Sequence, residues 1–190
     1  MQTKIKSMIK ESIGTKQLVH DRLAPAIENA TNMIIKALRN GNKLLIAGNG
    51  GSASQASHIA AEFVGRFKIE RRALPCIALN TDTSILTAWS NDYSYDAVFS
   101  RQIEALANEG DVFIALSTSG NSRNLIGAID AAKKAKVKVI SLLGKDGGKM
   151  KDISDIEIVV PSDNTPRIQE AHIMVMHIMC EIIDEKLFLK

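Results

Sequence analysis

Five short, almost wholly apolar runs recur along the chain with helical stretches between them, and this alternation constrains the fold more than any other feature. The runs are Lys43–Ala47, Pro75–Leu79, Val112–Leu116, Val137–Leu143 and Ile156–Val160, each of strand length and rich in Ile, Val and Leu. A strand that is apolar on both faces must be covered on both faces, and strands separated by helices pair in parallel. Stretches such as Ser52–Phe67 and Ser122–Ala135 supply covering helices. The expectation is an α/β fold: a three-layer αβα sandwich around a five-stranded, doubly wound parallel sheet, with additional N-terminal helices.

The first forty residues read as helix. Ile27, Ala30, Ile34, Ala37 and Leu38 form one apolar stripe, and Gly41 stands where a helix closes. Pro25 removes a backbone donor and is expected to break this region into two helical segments. The last helix, expected from Pro166 to Leu187, is apolar nearly all round between Ile173 and Ile183, so it must be buried in the core or against another subunit. That predicts a homo-oligomer. No repeat, low-complexity segment or linker divides the 190 residues, which predicts a single domain, 1–190, with 1–40 as an N-terminal helical extension.

Composition narrows the function classes. A formal charge of +3 suits an anionic ligand, but it is too small and dispersed for nucleic acid, and one Trp, two Tyr and five Phe offer few stacking platforms. Lys4, Lys6 and Lys10 interleave with Ile5, Met8, Ile9 and Ile13 at helical spacing, unlike a signal peptide. No run approaches the roughly 20 apolar residues of a membrane span. Cys76 and Cys180 lie in apolar runs without C-x-x-C spacing, which reads as free buried thiols in a reducing cytoplasm.

Ligands of open α/β sheets bind beyond the carboxyl ends of the strands, and two such ends carry unusual loops. The first is Gly48-Asn49-Gly50-Gly51-Ser52-Ala53. Its glycines let the backbone approach a ligand, and the helix that follows offers free N–H groups to an anion. The string also satisfies G-x-G-x-x-A, a dinucleotide fingerprint, but the acid that should follow, Asp82, comes 34 positions after Gly48 instead of about 20. The second loop is Ser117-Thr118-Ser119-Gly120-Asn121-Ser122, whose hydroxyls and amides make a phosphate cradle and whose Ser122 can cap the next helix. Two polar, glycine-bearing loops fit a phosphorylated sugar better than a dinucleotide.

Further along the first of these helices, His58 and Glu62 are four apart and share a face. They are either a helix-surface pair or a pair projecting into a site. On the last helix, Gln169 and His177 fall about 80° apart, whereas His172 and His177 fall about 140° apart and cannot share a face. His177 sits inside the apolar run, which predicts burial, as a core histidine or as a catalytic one.

Taken together, Gly48–Phe67 (GNGGSASQASHIAAEFVGRF), Asn91-Asp92-Tyr93, Ser117–Ser122 (STSGNS) and Arg167-Ile168-Gln169-Glu170 with His172 and His177 resemble the phosphoheptose isomerases. These are sugar-isomerase (SIS) domain proteins of flavodoxin-like fold, and the likeness runs through nearly the whole chain, more weakly before about residue 40. The resemblance implies conversion of sedoheptulose 7-phosphate to glycero-manno-heptose 7-phosphate through an enediol, toward lipopolysaccharide heptose. It implies substrate contacts from Asn49, Gly50, Gly51, Ser52, Glu62, Asn91, Asp92, Ser117, Thr118, Ser119, Ser122 and Gln169, and an acid–base pair of Glu62 and His177. It also implies zinc, one per subunit at partial or full occupancy, on His58, Glu62, Gln169 and His177, within a homotetramer. A ligating imidazole or carboxylate has less freedom to carry a proton, so the metal and acid–base roles compete.

Three rivals stand beside this reading. A non-catalytic SIS relative that binds the bacterial replication initiator resembles the chain throughout, but such relatives carry a small polar residue in place of Glu62. An SIS sensor that regulates transcription would be joined to a DNA-binding domain, for which the forty residues before the sheet leave no room. A nucleotide-dependent oxidoreductase would need a second substrate domain.

Overall fold

Each apolar run becomes a strand, and in the central strands successive residues alternate between two separate cores. In the computed structural model, which describes residues 1–189, the strands are β1 (Leu44–Gly48), β2 (Cys76–Ala78), β3 (Val112–Ser117), β4 (Lys138–Gly144) and β5 (Ile156–Val160). All pair in parallel in the order β2-β1-β3-β4-β5, with Leu44 opposite both Cys76 and Val112, Val112 opposite Lys138 and Ile140 opposite Ile156. This is the expected doubly wound, flavodoxin-like order. Leu44, Ile46, Val112, Ile114 and Leu116 point into one core, and Leu45, Ala47, Phe113 and Ala115 into the other.

The helices divide between these layers. On one face lie α1 (Gln2–Arg39), α2 (Gly51–Val64) and α6 (Thr165–Phe188). On the other lie α4 (Val98–Leu106) and α5 (Arg123–Lys134), with α3 (Thr83–Asp92) contributing Leu86 and Trp89 at its edge. After β1 the chain crosses on one face toward β2, and after β3 on the opposite face toward β4. The two connections therefore diverge at the neighbouring carboxyl ends of β1 and β3, opening the crevice where ligands of such sheets bind.

The N-terminal region departs from expectation. Pro25 lies inside α1, which runs unbroken from Gln2 to Arg39. The proline removes the bond to the Asp21 carbonyl, but Asp21, Arg22, Ala24 and Pro25 are all exposed, so water can satisfy that group. The helix is held on both sides of the proline by the packing of Val19, Ile27, Ile34 and Leu38 into the core. It closes as expected, with Gly41 at φ 81° donating its N–H to the Leu38 carbonyl. No helix among the described residues is long and apolar enough to cross a membrane.

The last helix also differs from an all-round buried rod. Val175, Met176, Met179, Cys180 and Ile183 are buried, whereas Met174, Ile178 and Ile182 remain partly open and line a groove of about 520 Å³ against Val19 and Ile27 of α1. Apolar side chains occur all round α6, but in this chain only one side of it meets the core.

Candidate active site

The glycine loop leaves β1 and enters α2 through Gly50, at φ 54°, with no side chain capping the helix. A side chain at Gly48 would lie 2.7 Å from Ser52, so glycine there lets the turn close on the helix. Ser52 is buried, and its N–H donates to the Asn49 carbonyl at 3.0 Å. Gly51 faces Gln169 of α6: a Cβ at that position would sit 2.4 Å from the Gln169 Nε2. The acid expected of a dinucleotide site has another occupation. Asp82 caps α3, accepting from the Ser84 and Ile85 amides, and this accounts for its wrong spacing.

The second loop joins β3 to α5. Ser122 occupies the N-cap position as expected, but its hydroxyl does not cap the helix. It lies 3.2 Å from the Ser117 hydroxyl instead, and Ser117 Oγ also accepts from the Gly120 amide. The positive end of α5 is therefore left without a side-chain acceptor, ready for an external anion. Gly120, at φ 63°, packs so closely on the loop after β4 that a Cβ would fall 1.9 Å from the Gly147 carbonyl. The Met150 amide donates to the Gly120 carbonyl and the Lys149 amide to Asn121 Oδ1, so the Gly147-Gly148 turn moulds the cradle from below.

Across the crevice the first loop is joined to the first turn of α5. Asn49 and Asn124 exchange a pair of amide hydrogen bonds at 3.0 and 2.9 Å, and Tyr95 Oη donates to Asn49 Oδ1 at 2.9 Å. Asn49 thus spends its side chain on the protein and has its backbone to offer a ligand. Asn91 and Asp92, expected at the site, end α3 as exposed side chains bonded to each other at 2.8 Å. Among the described residues no hydrogen bond ties them to either loop, although Tyr95 follows closely.

The titratable residues gather elsewhere on α2. His58 Nε2 lies 3.2 Å from Glu62 Oε1 and 3.0 Å from His177 Nε2, and the ligand atoms of all three residues fall within 4.8 Å of one another. His177 is half-buried rather than enclosed: it leaves the apolar face of α6 to meet α2, and Phe67 stacks on it at 5.4 Å. Its neighbour His172 points the other way, as the 140° separation requires, and is wholly buried with its Nε2 2.9 Å from the Leu143 carbonyl. Burial pushes the His172 ring down to about 4, so it is neutral and structural.

Two imidazoles and a carboxylate converging in this way suit a divalent metal. Ligand atoms about 2.0–2.1 Å from a tetrahedral zinc lie roughly 3.3 Å apart, close to the 3.0 and 3.2 Å found here. Gln169, the fourth expected ligand, stands two turns before His177 on α6, its amide packed against Gly51 and its carbonyl accepting from Gln55 Nε2 at 2.7 Å. The structure thus brings His58, Glu62 and His177 together, and Gln169 lies on the same helix pair with its side chain against Gly51. Sequence reasoning passed over Gln55, Asn124, Tyr95 and the Gly147-Gly148 turn. Only the paired glycines carried a readable signal.

Comparison with known proteins follows the same lines. The family described as "SIS domain" matches residues 9–144. The phosphoheptose isomerase of Geobacter sp. (strain M21) is 51% identical over 190 residues, covering 100% of this chain and 99% of its own. A solved phosphoheptose isomerase from Neisseria gonorrhoeae is 44% identical, with TM-score 0.91 over 97% of this chain and 98% of that one. One from Francisella tularensis is 39% identical, with TM-score 0.94 over the same shares.

Proposed function

The chain belongs to the SIS-domain phosphoheptose isomerases and is a sugar-phosphate isomerase; from that premise we propose that it converts sedoheptulose 7-phosphate to glycero-manno-heptose 7-phosphate, a precursor of lipopolysaccharide heptose. The observation that carries this reading is the meeting of Glu62, His58 and His177 on and against the helix that leaves the glycine loop, with α2 and α5 both starting at strand ends without a side-chain cap.

In this reading the phosphate sits on Ser117, Thr118, Ser119 and Ser122 at the start of α5, and Asn49, Gly50, Gly51, Ser52, Asn91, Asp92 and Gln169 receive the sugar hydroxyls. Glu62 takes the proton from C1 of the ketose, leaving a C1–C2 enediol whose O2 is protonated. The proton returns to C2 as O1 gives up its own, and the aldose carbonyl forms at C1. His177 moves the protons on oxygen. No atom is gained or lost, so one base and one oxygen-directed acid suffice. His58, Glu62, Gln169 and His177 would hold one zinc ion per subunit, which when bound supplies Lewis-acid polarisation of substrate oxygens.

We read residues 1–190 as one SIS domain with 1–40 as its helical extension, acting in the cytoplasm as a homotetramer on a small-molecule substrate, without nucleic-acid or membrane partners. The open groove between α1 and α6 and the exposed Ile5, Met8, Ile9 and Ile13 of α1 support burial against other copies and active sites shared between subunits. The deciding experiment follows aldose formation from sedoheptulose 7-phosphate by NMR, with metal analysis of chelator-free wild type and His58→Ala. Turnover is expected, with zinc lost in the variant. Absence of turnover together with saturable binding of the replication initiator would favour the non-catalytic rival.

A further inference from the structure

Helix α2 with the segment after it meets α6 at three levels, in the same order along both. Gln55 reaches the Gln169 carbonyl, His58 meets His177, and Arg71, just beyond α2, meets Asp184. The third contact is unlike the other two. Arg71 and Asp184 are oppositely charged, with side chains only 2% and 4% exposed, and Arg71 Nε lies 2.6 Å from Asp184 Oδ1. The rest of the guanidinium turns back on α2, donating to the carbonyls of Glu62 at 2.8 Å and Phe63 at 3.0 Å. Those are last-turn carbonyls that the helix cannot satisfy itself, at the end where positive charge is favoured.

We propose that Arg71 and Asp184 are positioning residues that hold α2 and α6 in the register at which His58, Glu62 and His177 meet. The proposal rests on reading those three residues as the reaction centre. Asp184 follows His177 by seven residues, a rotation within about 20° of two full turns, so the two share one face of α6 about 10 Å apart. Anchoring Asp184 therefore fixes the rotation and translation of His177. On the other side, the guanidinium grips the backbone of Glu62 itself. A slide of α6 by one residue would move His177 by about 1.5 Å and swing it by about 100°, enough to dissolve the trio.

Stability alone is a poor account of the pair. A buried ion pair returns little more than the desolvation it costs, and apolar replacements often do as well. Here Asp184 Oδ2 is buried without a hydrogen-bond partner, which leaves the pair further from an energetic optimum. What the fork does supply is direction: five donors in a fixed plane tie one helix end to a single point on its neighbour.

The test uses full-length Arg71→Lys and the double variant Arg71→Met/Asp184→Leu, which removes both buried charges together so that the fold does not depend on an orphaned one. Ring 15N–1H NMR of the metal-free proteins reads the His58–His177 contact directly. Wild type should show one Nε2 proton shared between the rings, and the folded double variant should not. Cobalt(II) affinity should fall by about 10–100-fold in both variants, as for other groups that orient metal ligands, with an altered ligand-field spectrum. A double variant of wild-type melting temperature that keeps the shared proton and wild-type cobalt affinity overturns the proposal. Should wild type bind no cobalt, the metal reading fails, and the shared ring proton alone decides for or against the clamp.

Discussion

Acidification from pH 7 to pH 5 should destabilise this protein through His172. Its ring is buried, its Nε2 donates to the Leu143 carbonyl, and its Nδ1 has no partner. Burial lowers its pKa from 6.5 to about 4. Above pH 6.5 both folded and unfolded chains hold a neutral ring, and the group contributes no pH dependence. As pH falls from 6.5 toward 4, the unfolded chain takes up a proton that the native ring refuses, so stability is progressively lost across that window. The shift corresponds to about 3 kcal/mol in full, of which about 2 kcal/mol is lost between pH 7 and pH 5. For a chain of this size that is a fall in Tm of about 4–8 °C. The perturbation that isolates it is His172→Gln, which retains a donor for Leu143 but does not titrate. Urea unfolding of both proteins at pH 7 and pH 5 is the assay, and the other histidines cancel between them. The variant should be less stable at pH 7 but should lose about 2 kcal/mol less than wild type on acidification. Equal losses in the two proteins would refute the assignment.

Other outcomes follow from the same geometry. Glu62→Gln should keep the fold and bind sugar phosphate while losing about 10²–10⁴ in turnover; deuterium wash-in at C1 or C2, measured with melting temperature and metal content, must fall with it, and wild-type exchange would remove Glu62 as the base. Gly120→Ala forces a side chain into a left-handed position and onto the Gly147 carbonyl, costing at least about 1–2 kcal/mol, and should raise KM for the phosphorylated substrate while lowering Tm. Burial raises the Cys76 thiol and pushes Cys180 up to about 12, so neither should react with a thiol reagent at pH 8 until the protein is unfolded.

Much of the architecture could be read from the chain because it depends on local pattern. All five strands fall within one or two residues of their apolar runs, since strands covered on both faces read as near-continuous apolar runs, with Ser141 and Glu157 as polar exceptions inside the strands. The two glycine-bearing loops were legible for a similar reason: glycine and hydroxyl residues at a strand end are needed for backbone conformation and donor supply, whatever packs around them. The 140° between His172 and His177 separates their roles by helix geometry alone. Other features needed contacts between distant segments. The unbroken α1 depends on packing either side of Pro25, which outweighs a local breaking signal, and Asp82 became intelligible only as a cap for α3. The Ser122 hydroxyl deserts its helix for Ser117, because the hydroxyls at the end of β3 and the start of α5 face each other once the loop closes on the Gly147-Gly148 turn. His177 stands half-open because α6 meets the core on one side only. Asn49 with Asn124 and Arg71 with Asp184 join residues 75 and 113 positions apart, and no periodicity spans such distances. Hydrophobic pattern acts residue by residue along the chain, whereas a directional bond between buried polar groups exists only where tertiary packing has already brought them face to face.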